Sequence, residues 1–129
     1  MALIPTLTLK DSTTFSDEVN FSVTDSLAVI APSRSLSLET VTTTGANHII
    51  IPASTATAFL FVRHTGTTDG STGTAQWLDL ENTDNEAFAR LGAGEWLFMP
   101  FSHGAVSVGV QLQSVSGNIQ VEYAYWTKG

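Results

Sequence analysis

Side chains able to do chemistry are few in this chain, and they are scattered. Three histidines, His48, His64 and His103, are the groups that ordinarily titrate near neutrality, so acid–base catalysis would begin with them. None has a partner close in sequence. Ser102 and His103 are adjacent, but neighbours on an extended strand point to opposite faces, which parts the hydroxyl from the imidazole. His64 follows Arg63 at the end of an apolar run and reads as a strand-end residue bonded to solvent or backbone. Asp79, Glu81, Asp84 and Glu86 bring enough oxygens together for a hard cation such as calcium. Their spacing lacks the glycine at the bend of an EF-hand loop, and Asn82-Thr83-Asp84-Asn85 reads as a plain turn. Gly92-Ala93-Gly94-Glu95 has no third glycine and no strand-to-helix setting, so it is no dinucleotide fingerprint. Without cysteine there is no disulfide, thiolate nucleophile or zinc-thiolate site. The expectation is a non-enzyme with no catalytic residue, no metal site and no cofactor.

Aromatic side chains are the other candidates, since they stack on sugars and anchor interfaces. Most are expected in the core. Tyr123 and Tyr125 share a face with Ile119 and Val121, whereas Trp126 points the other way and is a contact candidate for a sugar or a neighbouring subunit.

Composition narrows the partners. The 129 residues suit one domain, and a hydrophobic fraction of 43% is enough to build a core. Charged residues make up only 13%, about half the usual share, so the surface suits contact with neighbours. Five basic residues, Lys10, Arg34, Arg63, Arg90 and Lys128, stand singly against twelve acidic ones, for a net charge of −7. Nucleic acid is therefore an unsuitable partner, because phosphate neutralisation needs clustered cations. Met1–Thr6 has neither the basic start nor the apolar run of an export signal, and the apolar stretches fall far short of the ~20 residues that cross a bilayer as a helix. A soluble protein without a membrane partner is expected.

The elements that must position these residues announce themselves by alternation of period two, the pattern of half-buried strands. Val106, Val108, Val110 and Leu112 alternate with polar residues, turn at Ser114–Asn118 and return as Ile119, Val121, Tyr123 and Tyr125, which predicts a hairpin. A second hairpin is predicted from Ala87–Leu91 and Glu95–Met99 around Gly92-Ala93-Gly94, closed by Pro100. Ala58–Arg63 is apolar on both faces, as in a strand covered on each side. Thr65–Thr74 has no strongly apolar residue and reads as an exposed, mobile connection. Between Lys10 and Ser26 the strongly apolar residues are Phe15, Val19, Phe21 and Val23, too few for a core. The breaker Ala31-Pro32-Ser33-Arg34 then divides residues 1–34, an extended β arm, from a β core at 35–129. Such an arm gains stability by adding to a sheet edge, its own or a neighbour's. Removing residues 1–34 is expected to leave a folded monomer that no longer associates. Phe15, Val19, Phe21, Val23 and Trp126 are the interface candidates.

The strand at Ala58–Arg63, the Gly/Thr loop, Leu91-Gly92-Ala93-Gly94-Glu95-Trp96-Leu97-Phe98-Met99-Pro100 and Val121-Glu122-Tyr123-Ala124-Tyr125-Trp126 together resemble the small all-β virion structural proteins of tailed bacteriophages. The resemblance covers about residues 48–126 and transfers no functional residue. It implies an antiparallel β-sandwich, jelly-roll-like, in a symmetric homo-oligomer, with a trimer favoured. The implied role is capsid decoration (cement), with the major capsid protein or other virion proteins as partners, in a virion assembled in the host cytoplasm. Alternatives are a neck, tail or fibre component, or a carbohydrate-binding β-sandwich module using Trp126 or Trp96.

Overall fold

A computed structural model describes residues 1–11, 19–55, 57–102 and 108–129, with backbone alone at 31–35 and 47. Phe15, His103, Val106 and the Arg34 side chain, all named above, lie outside the described residues. The chain is all-β. Its strands are β1 (Ala2–Leu3), β2 (Thr6–Lys10), β3 (Asn20–Thr24), β4 (Leu27–Val41), β5 (Ile49–Ile51), β6 (Thr57–His64), β7 (Leu78–Asn82), β8 (Ala87–Leu91), β9 (Trp96–Ser102), β10 (Val110–Ser114) and β11 (Ile119–Lys128). One 3-10 turn, Gly45–Asn47, precedes β5. Among the described residues no helix is long and apolar enough to cross a membrane.

The strands form three antiparallel sheets, ordered β1-β4-β11-β6-β9, β5-β10-β7-β8 and β2-β3. From β4 onward the pairing is nested. β4 pairs β11, β5 pairs β10, β6 pairs β9 and β7 pairs β8, so each pair encloses the next. The period-two pattern explains the core, because alternate side chains of both larger sheets turn inward. Val41, Leu60, Val62, Ile119, Val121 and Tyr123 of one sheet meet Ile51, Leu78, Leu80, Val110 and Leu112 of the other in one apolar cluster.

Both predicted hairpins are corrected. β10 and β11 lie in different sheets, as do β8 and β9, so Val115–Asn118 and Gly92–Glu95 are corners that carry the chain from one sheet to the other. Alternation places a side chain inward equally well in either sheet, and a Gly-bearing turn serves a corner as well as a hairpin. Pro100 does not close a strand but lies within β9, the outermost strand of its sheet, where a missing N–H removes no ladder bond. The hairpin that does exist joins β7 to β8 through Asn82–Glu86. Asn82 Oδ1 accepts the Asp84 and Glu86 amides at 2.9 Å each, and Asn85 takes the left-handed φ of 66° that such a turn demands.

Gly109 enters β10 where the backbone of Ile51–Ala53 passes so close that a Cβ would stand 2.0 Å from the Ile51 carbonyl oxygen. The Thr65–Thr74 segment is largely exposed, as expected, yet folds on itself. Thr68 N–H donates to Thr72 O at 2.8 Å, and the Asp69 carboxylate accepts the Ser71 and Thr72 amides at 2.9 and 2.7 Å.

The boundary expected between 34 and 35 falls inside β4, which pairs β11 from Val41 opposite Ile119 to Val29 opposite Lys128. Val29 is buried, and β1 adds to the same strand through Ala2 and Leu3. What stands apart is shorter than residues 1–34: the two-stranded β2–β3 ribbon.

Candidate functional site

The ribbon is amphipathic and unshielded. Leu7 lies opposite Val23 and Leu9 opposite Phe21, which sets these four side chains on one face. The other face is polar, with Thr6 and Thr24 hydroxyls 2.9 Å apart and those of Thr8 and Ser22 3.1 Å apart. Both strands are exposed along their whole length, and Val19, just before β3, is exposed as well. A lone two-stranded ribbon is marginal in water, and an apolar face left exposed on one makes it the candidate surface of this chain. Of the interface candidates, Phe21 and Val23 come together here with Leu7 and Leu9, and Val19 lies just before them. Their register supplied the missing information.

Trp126 lies elsewhere. It is half-buried on β11 opposite Phe59 of β6, on the outer face of the five-stranded sheet. That face continues through Phe61, opposite Phe98 of β9, and Arg63, opposite Trp96. Phe59 and Phe98 rings stack with centroids 6.1 Å apart, and Lys128 Nζ sits 5.1 Å from the centre of the Phe59 ring. Arg63 reaches Glu122 at 3.5 Å. The double-sided apolarity of Ala58–Arg63 is answered on the inside along its whole length and on the outside at one end, where Phe59 and the neighbouring Ala124 are buried. Leu60 and Val62 are buried, while Phe61 is half-buried and Arg63 exposed. Trp96 is 54% exposed and Trp77 48%, so neither belongs to the core; Tyr123 and Tyr125 do. Two shallow clefts open on this surface. One of about 310 Å³ is lined by Phe61, Arg63 and Trp96. The other, about 230 Å³, lies where the ribbon base meets the sheet, between Phe98 and Pro5, Leu7, Val23 and Asp25.

The polar candidates are drawn into local structure. His64 is fully buried, with Nε2 donating to Gln76 O at 2.8 Å and Nδ1 accepting the Gly66 amide at 2.9 Å, which fixes one neutral tautomer. Asp79 holds Arg90 through two hydrogen bonds of 2.6 and 3.0 Å. Glu81 is buried and accepts from Gln111 Nε2 at 2.9 Å, and Glu86 accepts from Asn82 Nδ2. No three metal-binding side chains converge among the described residues.

One constellation escaped the sequence, because its members are spread over ten residues around a turn. His48 Nδ1 lies 3.0 Å from Glu39 Oε1, and Nε2 lies 3.1 Å from Thr42 Oγ1, the distances of a nucleophile–histidine–acid triad. The Thr42 amide also donates to Nε2 at 3.1 Å. That single lone pair is thereby engaged with the backbone, and the amide is withdrawn from any oxyanion. Chemically the group ties the end of β4 to the turn before β5.

Searches against protein-family models, curated proteins and solved structures find no match to this chain.

Proposed function

We propose that this chain is a bacteriophage virion structural protein, a non-enzymatic capsid decoration protein that stabilises a shell through contacts between subunits. The observation that carries the reading is the exposed apolar face of the β2–β3 ribbon, which the core meets only at its base, where Leu7 and Val23 face Phe98. The core itself reads as a jelly-roll sandwich. Taking β4 as first of eight strands, the sheets run first-eighth-third-sixth and second-seventh-fourth-fifth, the order produced by rolling up one long antiparallel ribbon. Viral capsid and lectin domains share that architecture. A fold alone assigns no function, so the weight rests on the ribbon and the aromatic sheet face. Both are suited to burying apolar surface against neighbours, either other copies in a homo-oligomer or the coat protein.

Quantitative mass spectrometry of purified particles tests the proposal. A copy number tracking that of the coat protein supports shell decoration. A copy number of one ring points to the neck, tail or fibre, and absence from particles overturns the virion reading.

A carbohydrate-binding module is the second reading, favoured by the exposed Trp96 ring beside the Arg63 guanidinium in the 310 Å³ cleft. Glycan binding that disappears in Trp96→Ala while the oligomeric state is unchanged would select it.

A further inference from the structure

We infer that the tip of the ribbon, Leu9, Val19 and Phe21, docks on the outer sheet face at Phe61, Trp96 and Phe98 of a second copy of this chain. The inference rests on the reading above that the ribbon is an attachment device, and it names what the device attaches to.

Four observations converge on this occupant. The first is fit within a single chain. Leu7 and Val23, at the base of the ribbon's apolar face, already line a cleft with Phe98, so this face of the ribbon and this face of the sheet meet at one end. Beyond that cleft Leu9 and Phe21 are 44% and 47% exposed, with no covering surface among the described residues, and Trp96 is more than half exposed. Each copy thus carries one uncovered ribbon tip and one uncovered aromatic face.

Charge is the second. At net −7, two copies repel when they approach through most of their surfaces. The outer sheet face differs, since it carries two cations, Arg63 and Lys128, against the one carboxylate of Glu122 that pairs Arg63, with Lys128 lying over Phe59. The ribbon brings Asp11 and Asp25 against the single Lys10. Ribbon on sheet face places carboxylates near cations, the complementary arrangement.

Area is the third. The apolar face of one ribbon exposes a patch on the order of a few hundred Å², below the roughly 800 Å² per partner of a stable interface. A subunit that both gives its ribbon and receives another's takes part in two such contacts, so closure of a ring, and not any single contact, is what makes the assembly stable. The last is geometry. Donor and acceptor are different patches, so the contact is heterologous, and repetition of it around an axis closes a ring, the route to a cyclic oligomer.

The absence of cysteine makes the test direct. Copies carrying Phe21→Cys are mixed with copies carrying Trp96→Cys under mild oxidation. The expected product is a disulfide between the two kinds of copy, in preference to either like pair. In parallel, Phe21→Asp and Trp96→Asp each sediment as a folded monomer, and mixing them gives a dimer only at high concentration and nothing larger, because one intact ribbon facing one intact acceptor is a single contact below the area of a stable interface. A wild-type chain that stays monomeric at every concentration overturns the inference. So does an oligomer in which Phe21 and Trp96 do not cross-link. Neither result bears on whether the protein is found in particles, which is measured separately.

Discussion

Leu9 and Phe21 stand opposite each other on one face of the β2–β3 ribbon, 44% and 47% exposed. Their burial contributes little to the fold of the monomer, and a cut after residue 25 takes from the core sheet only β1, two residues at its edge. Deleting residues 1–25 is expected to leave a cooperatively folded chain that no longer associates. Deleting residues 1–34 instead severs β4 from β11 and discards buried Val29. The loss of that side chain alone costs about 1.5–3 kcal/mol. Urea denaturation of the two truncations should show the shorter one near wild type and the longer one strongly destabilised or unfolded.

His64 is a buried hydrogen-bonding hub that gives β6 its connection to Gly66 and Gln76. His64→Leu takes the partner from the Gln76 carbonyl and the Gly66 amide, both part-buried, a cost of about 1–3 kcal/mol. A drop of that size in chemical denaturation, with the oligomeric state unchanged, is the expected result.

Thr42 and His48 have triad distances but share their lone pair with an amide. Thr42→Ala should change stability by about 1 kcal/mol or less. Hydrolysis of an activated ester by wild type is expected at the buffer rate. Turnover above buffer that Thr42→Ala abolishes would reopen the catalytic reading.

Gly109→Ala places a methyl group against the backbone of Ile51–Ala53, at 2.0 Å from the nearest oxygen and 2.8 Å from the Ala53 nitrogen. Backbone cannot swing aside as a side chain can, so a loss of about 3 kcal/mol or more is expected. Soluble yield and thermal midpoint report it. Gly117→Ala, at a corner with open space around it, should lose far less, limited to the cost of its positive φ.

Asp69 gives the Thr65–Thr74 loop a pH dependence. The Thr72 amide first, then that of Ser71, hold its carboxyl below the ordinary aspartate range. A depressed folded value means that the contribution is present above the unfolded value, near pH 4, and is lost as pH falls through the lower folded value. Amide exchange at Ser71 and Thr72 should therefore accelerate below about pH 4, and Asp69→Ala should remove that step.

The strands were legible because alternation is a local property. Val121, Tyr123 and Tyr125 declare an inward face whatever lies beside them. Pairing was not legible, because Leu112 and Ile119 point inward from opposite sheets as readily as they would from one hairpin. Gly109 did carry a signal, since a glycine set into an alternating run marks close approach of another backbone. The interface was half legible. Thin apolarity marked the segment, but only the register of Leu7 with Val23 and Leu9 with Phe21 reveals that its few apolar side chains share a face. Most aromatic side chains are expected in the core by size, yet Trp96 and Trp77 lie outside it, because size alone does not say which face of a strand a residue occupies.

The nested pairing of the core also imposes a schedule on synthesis. β7 and β8 join across a short turn, and each enclosing pair then closes a loop only slightly longer than the one already closed, which keeps the entropic cost of every step small. The outermost pair awaits β11, the last of these strands to be synthesised. The ribbon is made first and the core is sealed last, so the sticky end of each nascent chain is available to a neighbour before its own body is complete.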